Sequence, residues 1–162
     1  MRLRHSPSFG NWYASRVKIA VACDHAGFEF KEKLKARLSE LGHEVVDYGT
    51  DSTESCDYPD FAIPAAQSVA DGKADRAILP CTNGIGMAML SNRIPGVRGA
   101  LVYNDRTAEM TRQHHNSNVL CVGAGEFEAD DILRWVETWL KTDFEGGRHQ
   151  RRVSKIEDLD RE

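Results

Sequence analysis

Cys81 is followed by a polar, glycine-bearing turn, Thr82-Asn83-Gly84-Ile85-Gly86, which leads into an apolar segment at Met87–Asn92. A turn of this kind aims several backbone N–H groups at one spot, with a helix dipole behind them. Such a field favours a thiolate on the adjacent cysteine, and the same N–H groups can hold a developing oxyanion. A thiolate base beside an oxyanion cradle is what proton abstraction next to a carbonyl requires. A buried cysteine beside a tight turn reads the same way, and the residues alone leave both open.

Other residues could serve a ligand. Asp24-His25 suits a binding pair, or a helix cap with a surface histidine. His114-His115 closes a predicted helix, where interaction with the helix dipole is the plain reading. Arg148 and Arg152 are four apart, so on a helix they share a face and could grip a phosphate. A solvated basic face is the simpler account of them. Gly84-Ile85-Gly86 begins a GxGxxG pattern, but the third position is Met89 and the turn follows the third strand rather than the first. The dinucleotide fingerprint fails in spacing and place, even with Asp47 at the end of the second strand. Cys23, Cys56, Cys81 and Cys121 form no CxxC pair and no zinc-module spacing with histidine. They are expected as free thiols in a reducing cytoplasm. Neither a metal nor a nucleotide cofactor is expected.

The elements that carry these residues alternate. Val17–Cys23 reads as a buried strand. Phe30, Leu34, Leu38 and Leu41 follow at near-helical spacing and stop at Gly42. His43–Asp47 is a second strand, closed by Tyr48-Gly49. Tyr58-Pro59 opens a helix to Asp71-Gly72, with the proline where a missing N–H costs little. Ala77–Pro80 begins a third strand, the short helix Met87–Asn92 follows, and Val97–Tyr103 is a fourth strand. Asp105 is expected to cap a helix to about His115. Asn118–Val122 is a fifth strand. Ala129–Lys141 carries Ile132, Trp135, Val136, Trp139 and Leu140 on a broad apolar face. The pattern predicts an α/β fold: three layers, Rossmann-like, around a five-stranded parallel sheet. Ligands of such sheets sit at the carboxyl ends of the strands. That rule selects Asp24-His25, the Tyr48–Tyr58 loop and Cys81–Gly86.

The chain has 162 residues, 41% hydrophobic and 28% charged, with a formal net charge of −4. That composition is globular, and the charge argues against a nucleic-acid partner. No apolar run is long enough to span a bilayer. Residues 1–16 are basic, lack acids and have no apolar h-region, so they read as a poorly ordered extension rather than a secretory signal. A single domain is expected from 17 to 162. Its last part, from about residue 144, is a charged arm too polar for a core, lying on the surface or on a partner.

VACDHAGFEFKEKL, the DYGT turn, DYPDFA, ILPCTNGIGM, RQHHNSNVL and EGGRHQRRV occur in this order from about Val17 to the end. Together they resemble the type B ribose-5-phosphate isomerases, a family that includes galactose-6-phosphate and allose-6-phosphate isomerases. The resemblance implies an aldose–ketose isomerase working through a cis-enediolate, cytoplasmic, as a homodimer or dimer of dimers with no cofactor. By position, Cys81 corresponds to the catalytic base and His114 to the histidine that helps open the furanose ring. Asp24, His25, Tyr58 and the residues Thr82, Asn83, Gly84, Ile85 and Gly86 correspond to substrate-binding loops. His115 lies beside them in the pattern, and Arg148 and Arg152 correspond to phosphate-binding arginines.

Three positions depart from the pattern. Asn83 stands where the family carries a threonine hydroxyl, His115 where asparagine is common, and Gly125 where many members carry an arginine. These bear on the sugar more than on the reaction. Another sugar or sugar phosphate, or a non-catalytic sugar-phosphate-binding subunit, are the competing readings. Topology adds one expectation. Cys81 ends a strand whereas His114 precedes one, and a strand of five or six residues spans roughly 17–20 Å. Both can meet one sugar only if a two-fold partner supplies one of them.

Overall fold

The computed structural model describes residues 15–161, so all but the end of the expected N-terminal extension lies outside the described residues. In chain order the elements are β1 (Lys18–Val21), a 3-10 turn (His25–Gly27), α1 (Phe28–Glu40), β2 (Glu44–Asp47), α2 (Tyr58–Ala70), β3 (Arg76–Cys81) and α3 (Ile85–Ser91). β4 (Gly99–Val102), α4 (Asp105–His115), β5 (Val119–Gly123), α5 (Ala129–Lys141) and α6 (Arg148–Glu157) follow, with a last 3-10 turn at Asp158–Arg161. All five strands are parallel, in the order β2-β1-β3-β5-β4.

Period-two alternation along the central strands decides the layers. Ile19, Val21, Ile78, Leu120 and Val122 point to one face, where they meet Phe30, Leu34 and Leu38 of α1 and the apolar stripe of α5. Ala20, Ala22, Ala77, Leu79, Cys81, Val119 and Cys121 point to the other, against Ala62, Ala65 and Ala66 of α2 and Met87 of α3. Alanine on alanine lets α2 approach the sheet closely. The handedness of the crossovers explains the rest. A right-handed β–α–β connection puts helices that step toward the β4 edge on one face and helices that step back on the other. Accordingly α2 and α3 lie together, and α1 and α4 lie opposite them.

The sequence boundaries hold within a few residues, and those of α5 coincide. Two differ for a physical reason. α4 is capped by Asn104, not Asp105: Asn104 Oδ1 accepts the Thr107 N–H at 2.7 Å, and Thr107 Oγ1 accepts the Asn104 N–H at 3.2 Å. Asp105 is the first helical residue, paired with Arg134 at 2.8 Å. α3 begins at Ile85 rather than Met87, because Gly84 is its N-cap. α6 is polar as expected yet docks on its own chain, burying His149 and Val153. Among the described residues no helix is long and apolar enough to cross a membrane.

Candidate active site

β1 and β3 are neighbours whose connections leave in opposite directions, so the crevice at their carboxyl ends is where a ligand fits. Cys81 closes β3 there, 6% exposed. Its Sγ accepts the Gly84 N–H at 3.1 Å. The bond depends on Gly84 adopting φ 78°, ψ −6°, a left-handed conformation that glycine enters freely. The carboxamide oxygen of Asn83 accepts the Ile85 N–H at 3.0 Å. Two donors of the expected open cradle are therefore engaged within the turn, one of them on the sulfur. Behind the turn, the N–H groups of Ala124 and Gly125 donate to Cys81 O and Thr82 O at 2.8 and 2.9 Å, so the end of β5 fixes it. Burial pushes the thiols of Cys23 and Cys121 up to about 12, which leaves both protonated near neutral pH.

The neighbouring loops converge on this turn. A Cβ on Gly27 would lie 2.6 Å from Pro80 O, so only glycine lets the 3-10 turn sit against the end of β3. Asp24 caps that turn, its Oδ1 accepting from Ala26 and Gly27 N–H at 3.1 Å. His25 Nδ1 accepts the Cys56 N–H at 3.2 Å, which ties the β1 loop to the loop before α2 and leaves Nε2 as the protonated nitrogen. Tyr58, at the start of α2, lays its phenol on α3: a Cβ on Gly86 would fall 2.7 Å from the hydroxyl oxygen. Beneath these loops the buried Lys31 ammonium donates to Asp47 Oδ1 at 2.6 Å and to Thr50 O, holding the chain after β2 in place.

His114, His115, Arg148 and Arg152 gather elsewhere. α4 ends at the amino end of β5, and the register pairs Ala77 with Val119 and Cys81 with Gly123. Four residue steps, ~13 Å of strand, therefore separate the level of Cys81 from the start of β5, and His114 lies further out still. Within one chain the two groups do not meet. Here the His114 ring is stacked on His149, centroids 4.1 Å apart and planes 10° from parallel, and His115 stands edge-on to His114 at 6.1 Å. Glu145 Oε2 lies 3.3 Å from His149 Nε2. Arg148 and Arg152 are exposed on the first turns of α6, on one side as their spacing predicts. The last turn of α4 is held by the buried Arg112, whose Nη1 donates to Asn116 Oδ1 at 2.9 Å and to Ser117 O at 2.6 Å. Burial, with Arg76 and Arg98 nearby, lowers the Arg112 pKa to about 10.

His114, Glu145 and His149 are the one group among the described residues with three metal-ligand atoms within 4.8 Å of one another. Nearly parallel rings share no point where both imidazole lone pairs could meet one ion, so the cluster as arranged does not suit a metal.

The model of the family described as Ribose/Galactose Isomerase matches residues 19–156. The chain belongs to the ribose/galactose isomerase family. Ribose-5-phosphate isomerase B of Escherichia coli (strain K12) is 41% identical over 139 residues, covering 86% of this chain and 93% of that protein. The structure of Clostridium thermocellum ribose-5-phosphate isomerase B superposes with a TM-score of 0.87 at 40% identity, over 89% of this chain and 97% of that one. The Mycoplasma genitalium ribose-5-phosphate isomerase B with bound ribulose-5-phosphate gives 0.86 at 39% identity, over 90% and 97%. Family membership makes this chain a sugar-phosphate isomerase of the aldose–ketose class.

The departures from the family pattern now have places. Gly125 touches Thr82, so the missing arginine would have sprung from beside the Cys81 turn. Asn83 spends its carboxamide oxygen on the start of α3. Sequence reasoning missed Cys56, which no spacing signals. It also missed His149, although its i,i+4 partner Val153 marks the buried side of α6.

Proposed function

We propose that the chain interconverts ribose 5-phosphate and ribulose 5-phosphate through a cis-enediolate, residues 17–162 acting as one catalytic domain in a homodimer or pair of dimers. The observation that carries this reading is the Cys81 turn, with its sulfur bonded to the Gly84 N–H at the start of α3. The Cys81 thiolate removes the C2 proton of the open aldose. The released electron pair forms the C1–C2 double bond, and the former carbonyl oxygen gains charge and then a proton. Return of the sulfur-borne proton to C1, with loss of the O2 proton, gives the ketose. Donors at the start of α3 and the Asn83 carboxamide face the enediolate oxygens, while Asp24, His25 and Tyr58 bind the hydroxyls. His114 assists ring opening, with His115 beside it, and Arg148 and Arg152 take the phosphate. Neither a metal nor a nucleotide takes part.

Each site then draws Cys81 from one chain and His114, Arg148 and Arg152 from its two-fold mate. The test is complementation between Cys81→Ala and His114→Ala, each expected to lose ~10²–10⁴ in turnover. After dissociation and random reassembly, half the dimers are mixed and each holds one intact site, so about a quarter of wild-type activity returns. Mixed dimers as inactive as their parents would place the whole site within one chain and defeat the proposal.

Gly125 favours a second reading, in which the sugar is another one: allose 6-phosphate, galactose 6-phosphate or an unphosphorylated sugar. Turnover of a panel of pentose and hexose phosphates and free sugars decides between them by kcat/KM.

A further inference from the structure

We propose that His149 is a positioning residue for ring opening: its buried imidazole is the plate against which His114 is held in working orientation. The inference rests on the reading of His114 as the residue that assists that step. His149 is 6% exposed, in the first turn of α6, and its ring lies flat on that of His114 at 4.1 Å. Two further contacts fix the plate to the helix it serves. The Glu145 N–H donates to Gln113 O at 3.1 Å, pinning the chain before α6 to the last turn of α4, the turn that carries His114. One turn further along α6, Val153 is buried at 2% exposure and keeps α6 seated.

Ring opening explains why a plate is needed. The C1–O4 bond of the furanose breaks, O4 receives a proton from the His114 imidazolium, and the O1 proton leaves to solvent as the C1=O1 bond forms. The imidazole must therefore present one nitrogen edge to O4. The last torsion of a histidine is broad and roughly two-fold, and a site works only when held within about 10–20° of its productive geometry. Stacking removes that freedom.

Charge points the same way. Burial, the His114 ring and Arg148 all depress the pKa of His149, Arg152 adds to them, and only Glu145 opposes. Burial and the neighbouring cations thus disfavour a charge on His149, while His114 is the half-buried member of the pair, with His115 adjoining from the same helix.

Ribulose 5-phosphate offers the test, because its phosphorylated O5 cannot close a furanose and the sugar needs no ring opening. Two rates are measured for His149→Ala, His149→Phe and His114→Ala: turnover of ribose 5-phosphate, and solvent deuterium entry at C1 of ribulose 5-phosphate by NMR. His149→Ala should lower ribose 5-phosphate turnover ~10- to 100-fold, the cost of misplacing a catalytic group by an ångström or less. Deuterium entry and the KM for ribulose 5-phosphate should stay within ~3-fold, because Cys81 and the arginines are untouched. His149→Phe, which keeps a flat ring without nitrogens, should recover most of the loss. Unchanged turnover in His149→Ala, or an equal fall in both rates, overturns the inference. If His114→Ala is selectively impaired and His149→Ala is not, this inference alone fails. If His114→Ala loses both rates alike, the reading of His114 fails and takes the inference with it.

Discussion

Replacing Gly84 by alanine tests the Cys81 turn at its tightest point. The residue sits at φ 78°, where an L side chain costs about 1–2 kcal/mol. Its Cβ would lie 2.7 Å from Leu101 Cδ1 and 2.9 Å from the carbonyl carbon of Val122. Leu101 can turn aside, but the Val122 backbone is held in β5 between β3 and β4 and cannot, so overpacking adds about 1–3 kcal/mol. A loss of about 2–5 kcal/mol leaves a domain of ordinary stability folded in buffer, and catalysis can still be measured. The turn relieves the clash by moving away from β5, which withdraws the Gly84 N–H from Cys81 Sγ and shifts the donors behind it. Displacing one such donor costs ~10²–10³ in kcat. Gly42→Ala is the control: Gly42 has φ 85° but nothing within 4 Å of its would-be Cβ, and it follows α1, far from the site. It should lose the backbone penalty alone, about 1–2 kcal/mol, with kcat unchanged. Urea unfolding and steady-state kinetics on both variants are the assay. If Gly84→Ala is no less stable than Gly42→Ala and its kcat lies within twofold of wild type, the turn is not constrained as argued, and its N–H groups do not act on the reaction.

Gly125→Arg should lower KM for phosphorylated substrates at some cost in stability, since its Cβ would lie 3.0 Å from Thr82 O. A KM that does not move puts Gly125 away from the phosphate. Lys31→Met should destabilise by about 1–3 kcal/mol, because it leaves the buried Thr50 O without its donor, whereas the exposed Asp47 carboxylate keeps Lys35 and the Gly49 N–H. It should also raise KM, as the loop before Tyr58 loosens; calorimetry with kinetics reads both. Burial raises the Asp47 pKa, but hydrogen bonds from Lys31, Lys35 and the Gly49 N–H outweigh it and hold the value below 3.8. The pair's stabilisation is therefore fully present above about pH 4 and is lost as pH falls through the lower folded value. Urea midpoints measured across the acid range should show that slope, and Asp47→Asn should flatten it.

What could be read from the residues follows from what has a period. The stripe Ile132, Trp135, Val136, Trp139 and Leu140 repeats as a helix does, and it gave the bounds of α5 because one wide face is buried. The buried side of α6 is only His149 and Val153, set among arginines, so the helix looked like a free arm. The cap at Asn104 and the glycine cap at Gly84 depend on backbone geometry at single residues, which a neighbouring aspartate or an apolar run easily masks. The contacts of His25 with Cys56 and of His114 with His149 join residues 31 and 35 positions apart in sequence. Tertiary packing alone brings such pairs together, and no spacing encodes them. Yet the separation of Cys81 from His114 was legible, since it needs only the direction of a strand and its length. The same fact bears on how the site was assembled. Parallel strands put every loop that follows a strand at one end and every helix terminus that precedes one at the other. A chain that needs chemistry from both ends must either wrap a long segment around the sheet or meet a copy of itself. The arm after α5 does not wrap: Glu145, His149 and Val153 fasten it to α4, at the end it started from. On the proposed function, meeting a copy is then the remaining route, and it would make α6 part of the chemistry rather than an appendage.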